Sequence, residues 1–282
     1  MTATLNLLHL PVDLRALARF AADRNRGQIT YARKGREHDA GLDEGRALHH
    51  LLDETFGPAS LRPFRLMSAP GARAGSVYAY SRCTEEALKT AIRETSMPEA
   101  AHVLGLDRIS TREVPSDWPS GRRLAFDVRV RPVVRIRGDL PNPRDPQRPY
   151  KAGSELDAYF VEAQRRFPDE RPTVAEGNAA PSGMERAGRT RDTVYFDWLA
   201  TRLDTAADID LTTTTLHQYQ RTRVARQGYA PEGPDATLHG ELVVKNETAF
   251  HAALADGVGR HRSYGFGMLL LRPARRRNEE AF

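Results

Sequence analysis

The order in which apolar periodicity changes along the chain constrains the fold more than any other feature. Residues 4–12 are short and apolar and predict a strand, and Leu14, Leu17, Ala18, Ala21 and Ala22 follow at helical spacing. Residues 24–39 are polar, basic and broken by glycine, and read as a loop. Asp43 is placed to cap a second helix whose apolar face is Leu48, Leu51 and Leu52, and Gly57-Pro58 stops it. Residues 61–67 and 76–82 predict two strands separated by Ala69-Pro70-Gly71. Thr84 can cap a helix over residues 85–94, with Ala87, Leu88, Ala91 and Ile92 on its buried side. Finally, Leu124, Phe126, Val128 and Val130 alternate with Ala125, Asp127, Arg129 and Arg131, which predicts a half-buried strand over residues 124–136, bent at Pro132.

Strand, helix, strand, strand, helix, strand is the order of an α+β, ferredoxin-like domain, the scaffold also used by RNA-recognition motifs. Residues 1–137 are expected to form one such domain. Residues 138–190 change character: a proline-rich connector over 140–149, a short helix over 154–167, and a Gly/Ala/Arg-rich stretch over 173–191 expected to be mobile. They are read as a linker or insertion. A second ferredoxin-like domain is expected over residues 191–273, with a helix at 194–203, strands at 211–225 and 236–244 around a turn at 228–234, a helix at 247–254 and a strand at 267–271. Residues 274–282 form a charged tail. The scaffold hosts many activities and does not name one.

Composition narrows the class only a little. Lys+Arg number 42 against 37 Asp+Glu, giving a net charge of +5, and lysine occurs only at Lys34, Lys89, Lys151 and Lys245. Arginine's planar fork suits phosphate and bases, but the same skew follows from a GC-rich genome. Cys83 is the single cysteine, so there is no internal disulfide and no cysteine-based metal site. No apolar run approaches the ~20 residues that span a bilayer, and residues 1–11 lack the basic flank and cleavage site of a secretory signal. The expectation is a cytoplasmic protein without membrane contact.

The densest motif lies near the C-terminus. Residues 256–271 read DGVGRHRSYGFGMLLL, with Gly257, Gly259, Gly265 and Gly267 interleaved with Arg260, His261, Arg262 and Tyr264. Glycines allow positive φ and close backbone approach, and with three basic or imidazole side chains the loop fits a cradle for a phosphate backbone. A mononucleotide fingerprint needs strand, glycines, then helix; here helix precedes and strand follows. The competing reading is a tight helix-to-strand turn whose glycines serve geometry alone.

The run GVGRHRSYGFGMLLLRP after a helix resembles the glycine-rich loop of the CRISPR-associated repeat-RNA endonucleases, most of all the CasE family of type I-E Cascade complexes. LAFDVRVRPVVRI resembles that family's final strand of the first domain, VYFDWLATRL the helix opening its second domain, and ALHHLL lies where the family carries its catalytic histidine. The resemblance spans residues 4–273; residues 138–189 look long for the family.

The resemblance implies two tandem ferredoxin-like domains and cleavage of a CRISPR repeat hairpin with no metal ion or other cofactor. The ribose 2′-OH attacks the adjacent phosphate, leaving a 2′,3′-cyclic phosphate and a 5′-OH. The implied partners are the repeat stem-loop and the other subunits of a Cascade-like complex. His49 matches the catalytic histidine, with His50 as competitor and Asp53, four residues on, placed to orient the ring or raise its pKa. Family members often carry a tyrosine three residues earlier; here that residue is Arg46, which does not release its proton and can only stabilise phosphorane charge. The second acid/base group is left open among water, Tyr31, Tyr150 and Lys151. Arg221 and Arg223 share a face of one predicted strand and, with Gly257, Gly259, Arg260, His261, Arg262, Gly265 and Gly267, are the candidate RNA contacts. Two alternatives are a CRISPR RNA-binding subunit without cleavage and a protein-interaction module whose loop is purely structural.

Overall fold

The computed structural model describes residues 4–33, 36–95, 97–143, 145–168, 182–224 and 232–274. The first part of the chain runs β1 (Asn6–Asp13), α1 (Leu14–Asp23), β2 (Gln28–Arg33), β3 (Arg36–Leu42), α2 (Glu44–Phe56), β4 (Phe64–Met67), β5 (Ala74–Ser81), α3 (Glu85–Thr95), α4 (Pro98–Val103) and β6 (Ser110–Glu113). Local signals fix the helix ends. Asp13 Oδ1 accepts from the Arg15 and Ala16 amides at 2.8 Å, Asp43 Oδ1 accepts from the Arg46 amide at 2.9 Å, and Thr84 Oγ1 accepts from the Ala87 amide, each satisfying a first-turn N–H. Gly57, at φ +85°, ends α2. Strands β4, β5, β1 and β6 pair in that order, each antiparallel to its neighbour. This is the ferredoxin-like order. Leu8, Leu10 and Val12 of β1 and Val77 and Ala79 of β5 pack beneath Leu17, Phe20, Leu48, Leu51 and Leu52 of α1 and α2.

The chain continues with β7 (Arg123–Val130), β8 (Val133–Arg135), β9 (Glu155–Asp157), α5 (Ala158–Arg166), α6 (Ser182–Arg186), α7 (Arg191–Leu203), β10 (Ala207–Arg223), β11 (Glu232–Val244), α8 (Glu247–Asp256) and β12 (Leu269–Pro273). Strands β10, β11, β7 and β12 form the second sheet, again antiparallel and in the same topological order. Its core joins Phe126, Val128, Leu238, Leu242 and Leu269 to Tyr195, Leu199 and Leu203 of α7 and Phe250 and Leu254 of α8. The tandem ferredoxin-like expectation therefore holds.

The boundary expected at residue 137 does not. The strand over 124–136 splits at Pro132, and β7 hydrogen-bonds to β11 and β12, so it opens the second unit instead of closing the first. The first unit's fourth strand is β6, four mostly exposed residues, Ser-Thr-Arg-Glu, with no apolar alternation to announce them. Residues 138–190 are accordingly an insertion within the second unit. Within them β9 pairs back onto β8, and Asp157 caps α5, its Oδ1 accepting from the Tyr159 amide at 3.0 Å. The expected helix over 154–167 thus begins as a strand. Residues 24–39, read as a loop, carry most of the β2–β3 hairpin. The mobile stretch expected within 173–191, the turn at 228–234 and the tail after 274 lie wholly or partly outside the described residues.

The two units are pinned together by buried polar contacts. Tyr80 Oη donates to the Leu269 carbonyl at 2.8 Å, and the buried Arg65 of β4 pairs with Asp127 of β7 at 2.5 Å. Among the described residues, no helix is long and apolar enough to cross a membrane.

Candidate functional site

Helix α2 buries Ala47, Leu48, Leu51 and Leu52 and so turns Arg46, His49, His50 and Asp53 away from the first core. Its first turn meets the glycine loop of the second unit. A Cβ on Gly45 would overlap the Tyr264 carbonyl oxygen, so glycine there permits the contact. Tyr264 ends a single 3-10 turn, Arg262–Tyr264, flanked by His261 at φ +63° and Gly265 at φ +82°, both left-handed. That turn sets the Tyr264 ring edge-on to His49, with centroids 5.2 Å apart and planes at 87°.

His49 is half-buried in a cluster of charges. Its Nδ1 lies 3.2 Å from Arg62 Nη2 and 3.5 Å from Asp53 Oδ2, and Arg62 Nη2 itself donates to Asp53 Oδ2 at 2.5 Å. One ring nitrogen thus faces a donor and an acceptor. Accepting from Arg62 leaves a proton on Nε2; donating to Asp53 leaves the Nε2 lone pair free. Burial is the main cause that holds the His49 pKa below the usual imidazole value; Asp53 opposes it, and Arg62 and Arg46 add to it. The expected rise from Asp53 is real but outweighed. His50, with its ring 5.0 Å from that of His49, is pushed down to about 4, first by burial and then by Arg26. In both rings burial favours the neutral form.

In the glycine loop several backbone amides are already engaged within the fold. The Gly257 amide donates to the Ala253 carbonyl at 3.0 Å, Val258 to Gly267 at 2.8 Å, and Gly267 to Arg129 at 2.7 Å. A Cβ at Gly259 would lie 2.7 Å from the Trp198 ring, one at Gly257 3.0 Å from Pro63, and one at Gly267 would overlap the Val258 carbonyl oxygen. These glycines serve close packing. Gly265 sits over the Phe64 ring.

Two of the loop's side chains are braced by one carboxylate from the insertion. Glu155 of β9 pairs with Arg260 Nε at 2.7 Å and with His261 Nε2 at 3.1 Å. Arg262 Nη1 donates to the Asp256 carbonyl at 2.7 Å. Two residues along β9, Asp157 holds Arg191 at 2.8 Å and Tyr195 Oη at 3.0 Å, and lies 3.6 Å from Arg221. Arg221 and Arg223 share Glu232 of β11, at 2.5 Å and 3.3 Å.

The structure thus gathers Arg46, His49, Asp53 and the turn carrying Tyr264 at one junction, and strings Arg260, His261 and Arg221 along β9. Of the suggested second groups, Lys151 pairs with Asp139 at 2.8 Å and Tyr150 rests edge-on against Phe160; the Tyr31 side chain lies outside the described residues. Arg62 and Glu155 escaped sequence reasoning. Neither sits in a periodic pattern with its partner. Among the described residues, no cluster of three or more His, Cys, Asp or Glu is arranged to hold a metal ion.

Three solved structures share the fold over nearly the whole chain. A CRISPR endoribonuclease Cse3 bound to 19-nt RNA is 15% identical, with 96% of this chain and 100% of that chain covered and a TM-score of 0.56. Thermus thermophilus Cse3 bound to an RNA representing a pre-cleavage complex is 14% identical, with 96% and 100% covered and a TM-score of 0.57. Cas6e from Escherichia coli str. K-12 is 14% identical, with 95% and 100% covered and a TM-score of 0.51. No curated protein matches the sequence. A family model described as "CRISPR associated protein" matches residues 17–273. With the whole second sheet, α2 and the glycine loop inside that span, the chain belongs to the CRISPR-associated protein family.

Proposed function

We propose that the protein is a metal-independent endoribonuclease that cuts CRISPR repeat RNA. The observation that carries this reading is a half-buried His49 held at Nδ1 by Arg62 and Asp53, with burial favouring its neutral form. It sits on a fold shared with Cse3 solved in a pre-cleavage RNA complex. In the tautomer with Nδ1–H toward Asp53, His49 Nε2 takes the proton from the ribose 2′-OH as O2′ attacks phosphorus. Arg46, on the preceding turn of α2, supplies positive charge to the phosphorane. The P–O5′ bond breaks, giving a 2′,3′-cyclic phosphate and a 5′-OH. Side chains supply base and charge, so the reaction calls for no metal ion.

Arg221, Arg223, Arg260 and Arg262 bind the stem's phosphates, mostly by shape. The protein stays on its product and joins the other subunits of a Cascade-like complex; the resemblance of its loop to the CasE family supports this step. Arg46, which cannot donate a proton, favours one rival reading: a subunit that binds the RNA without cutting it.

Incubating the protein with its own repeat RNA in EDTA tests this. One-site cleavage by the wild type, reduced ~10²–10⁴-fold in His49→Ala, is the expected result. Tight binding without cleavage supports the rival. Wild-type cleavage by His49→Ala overturns the site.

A further inference from the structure

We propose that Tyr264 is the acid that protonates the leaving 5′-oxygen, an inference that rests on the endoribonuclease reading above. Transfer to O2′ needs a proton donor as well as a base, and α2 holds none beside His49: Arg46 does not release its proton, and His49 is engaged as the base. Tyr264 comes from the other unit, and its placement is built in. The turn Arg262–Tyr264 closes through the Tyr264 amide donating to the His261 carbonyl at 2.8 Å. Left-handed residues flank it at His261 and Gly265, the former a non-glycine in an unfavourable conformation. On the α2 side, only a glycine at position 45 leaves room for the Tyr264 carbonyl. The result of these constraints is a phenol ring 5.2 Å from the His49 ring and perpendicular to it. Two rings this close can meet the same phosphodiester. Among the described residues, none hydrogen-bonds the Tyr264 hydroxyl, in contrast to Tyr80 and Tyr195, whose hydroxyls are bound.

The proton count balances. O2′–P forms as the 2′-OH proton passes to His49 Nε2. P–O5′ breaks as the Tyr264 hydroxyl proton passes to O5′. A phenol is a much stronger acid than the alcohol being released, so the transfer runs downhill. The products are a cyclic phosphate, a 5′-OH, an imidazolium and a phenolate. Proton transfer from His49 to Tyr264, directly or through one water, restores both for the next turnover.

Tyr264→Phe keeps the ring and its contact with His49 and removes only the hydroxyl. The test compares two repeat RNAs in single-turnover cleavage: the natural one, and one carrying sulfur in place of the bridging 5′-oxygen at the cut site. Sulfur departs as a thiolate and needs no proton. Tyr264→Phe is expected to slow the oxygen substrate ~10²-fold or more, and to cut the sulfur substrate within ~3-fold of wild type, while His49→Ala slows both. RNA affinity measured alongside should be unchanged, which reports an intact loop. A wild-type rate on the oxygen substrate, or equal slowing of both substrates, overturns the role of Tyr264 while leaving the endoribonuclease reading in place. No cleavage of either RNA by the wild-type protein overturns both.

Discussion

The two ferredoxin-like units have the same strand order and differ in their connections. In the first, the passage from β1 to β4 holds two helices and a hairpin, and its last helix, α2, carries His49. The corresponding helix of the second unit, α7, is capped by Thr190 and buries Val194, Tyr195, Trp198, Leu199 and Leu203. It carries no histidine and acts as a platform, with Trp198 under Gly259 and Tyr195 held by Asp157. The roles reverse in the second crossover. The first unit's ends in the short edge strand β6, whereas the second unit's ends in the glycine loop that reaches α2. Each unit therefore contributes one connection to the junction, and the candidate chemistry exists only where the two meet.

The sharpest way to break that complementarity is to push the connections apart. A Gly45→Val side chain would collide with the Tyr264 carbonyl oxygen. Overpacking of this kind costs about 1–3 kcal/mol, and a shift of about 1 Å in reacting groups costs ~10²-fold in rate. Single-turnover cleavage should fall by about that factor, with RNA affinity, carried mainly by the second unit, much less affected. Gly138→Ala, where a Cβ would meet nothing within 4 Å, is the matching control. A Gly45→Val protein that cuts at the wild-type rate would show that the junction plays no part in the reaction.

Local chemistry was legible in the sequence and long-range pairing was not. The Asp43 cap, the Gly57 stop and the Thr84 cap can be read directly because each acts within a few residues. The alternation from Leu124 to Val130 identifies a half-buried strand, but alternation is silent on which sheet receives it, and β7 went to the second. Strand β6 and the β2–β3 hairpin are too polar to register as periodic. His49 was found through resemblance, since a histidine on an amphipathic helix is unremarkable by itself. Arg62 reaches it from beyond the end of α2, and Glu155 reaches Arg260 across the fold from an insertion. No spacing rule connects such pairs.

A second comparison, within the junction, sets Arg62 against Asp53. Arg62 lowers the His49 pKa and Asp53 raises it. His49 acts as a base, so the rate falls as pH drops through its pKa, which lies below the ordinary 6.5. Arg62→Gln removes a cation and leaves Asp53 unopposed, so the acidic limb moves to higher pH. Asp53→Asn removes the anion and moves it to lower pH. Plateau rates fall by roughly 10-fold in each as the ring loses orientation. The measurement is a pH–rate profile under single turnover. Shifts in the same direction would mean that the two residues only support the fold.

The smallest expected effect concerns the other side of the comparison, the cations of the second unit. Glu155 already occupies Arg260 and His261, so a phosphate that takes Arg260 must displace a carboxylate. The Arg260 side chain is 48% exposed, and ion pairs at such sites contribute about 0–1 kcal/mol. Removing the competitor can therefore tighten RNA binding by no more than ~5-fold. Glu155→Gln should also steepen the dependence of log K on log salt by about 0.7–0.9 if the freed Arg260 neutralises a further phosphate. Titrations at several salt concentrations measure both. If Glu155→Gln instead weakens binding with an unchanged slope, the carboxylate orients Arg260 toward the RNA, and β9 is part of the binding surface instead of a competitor for it.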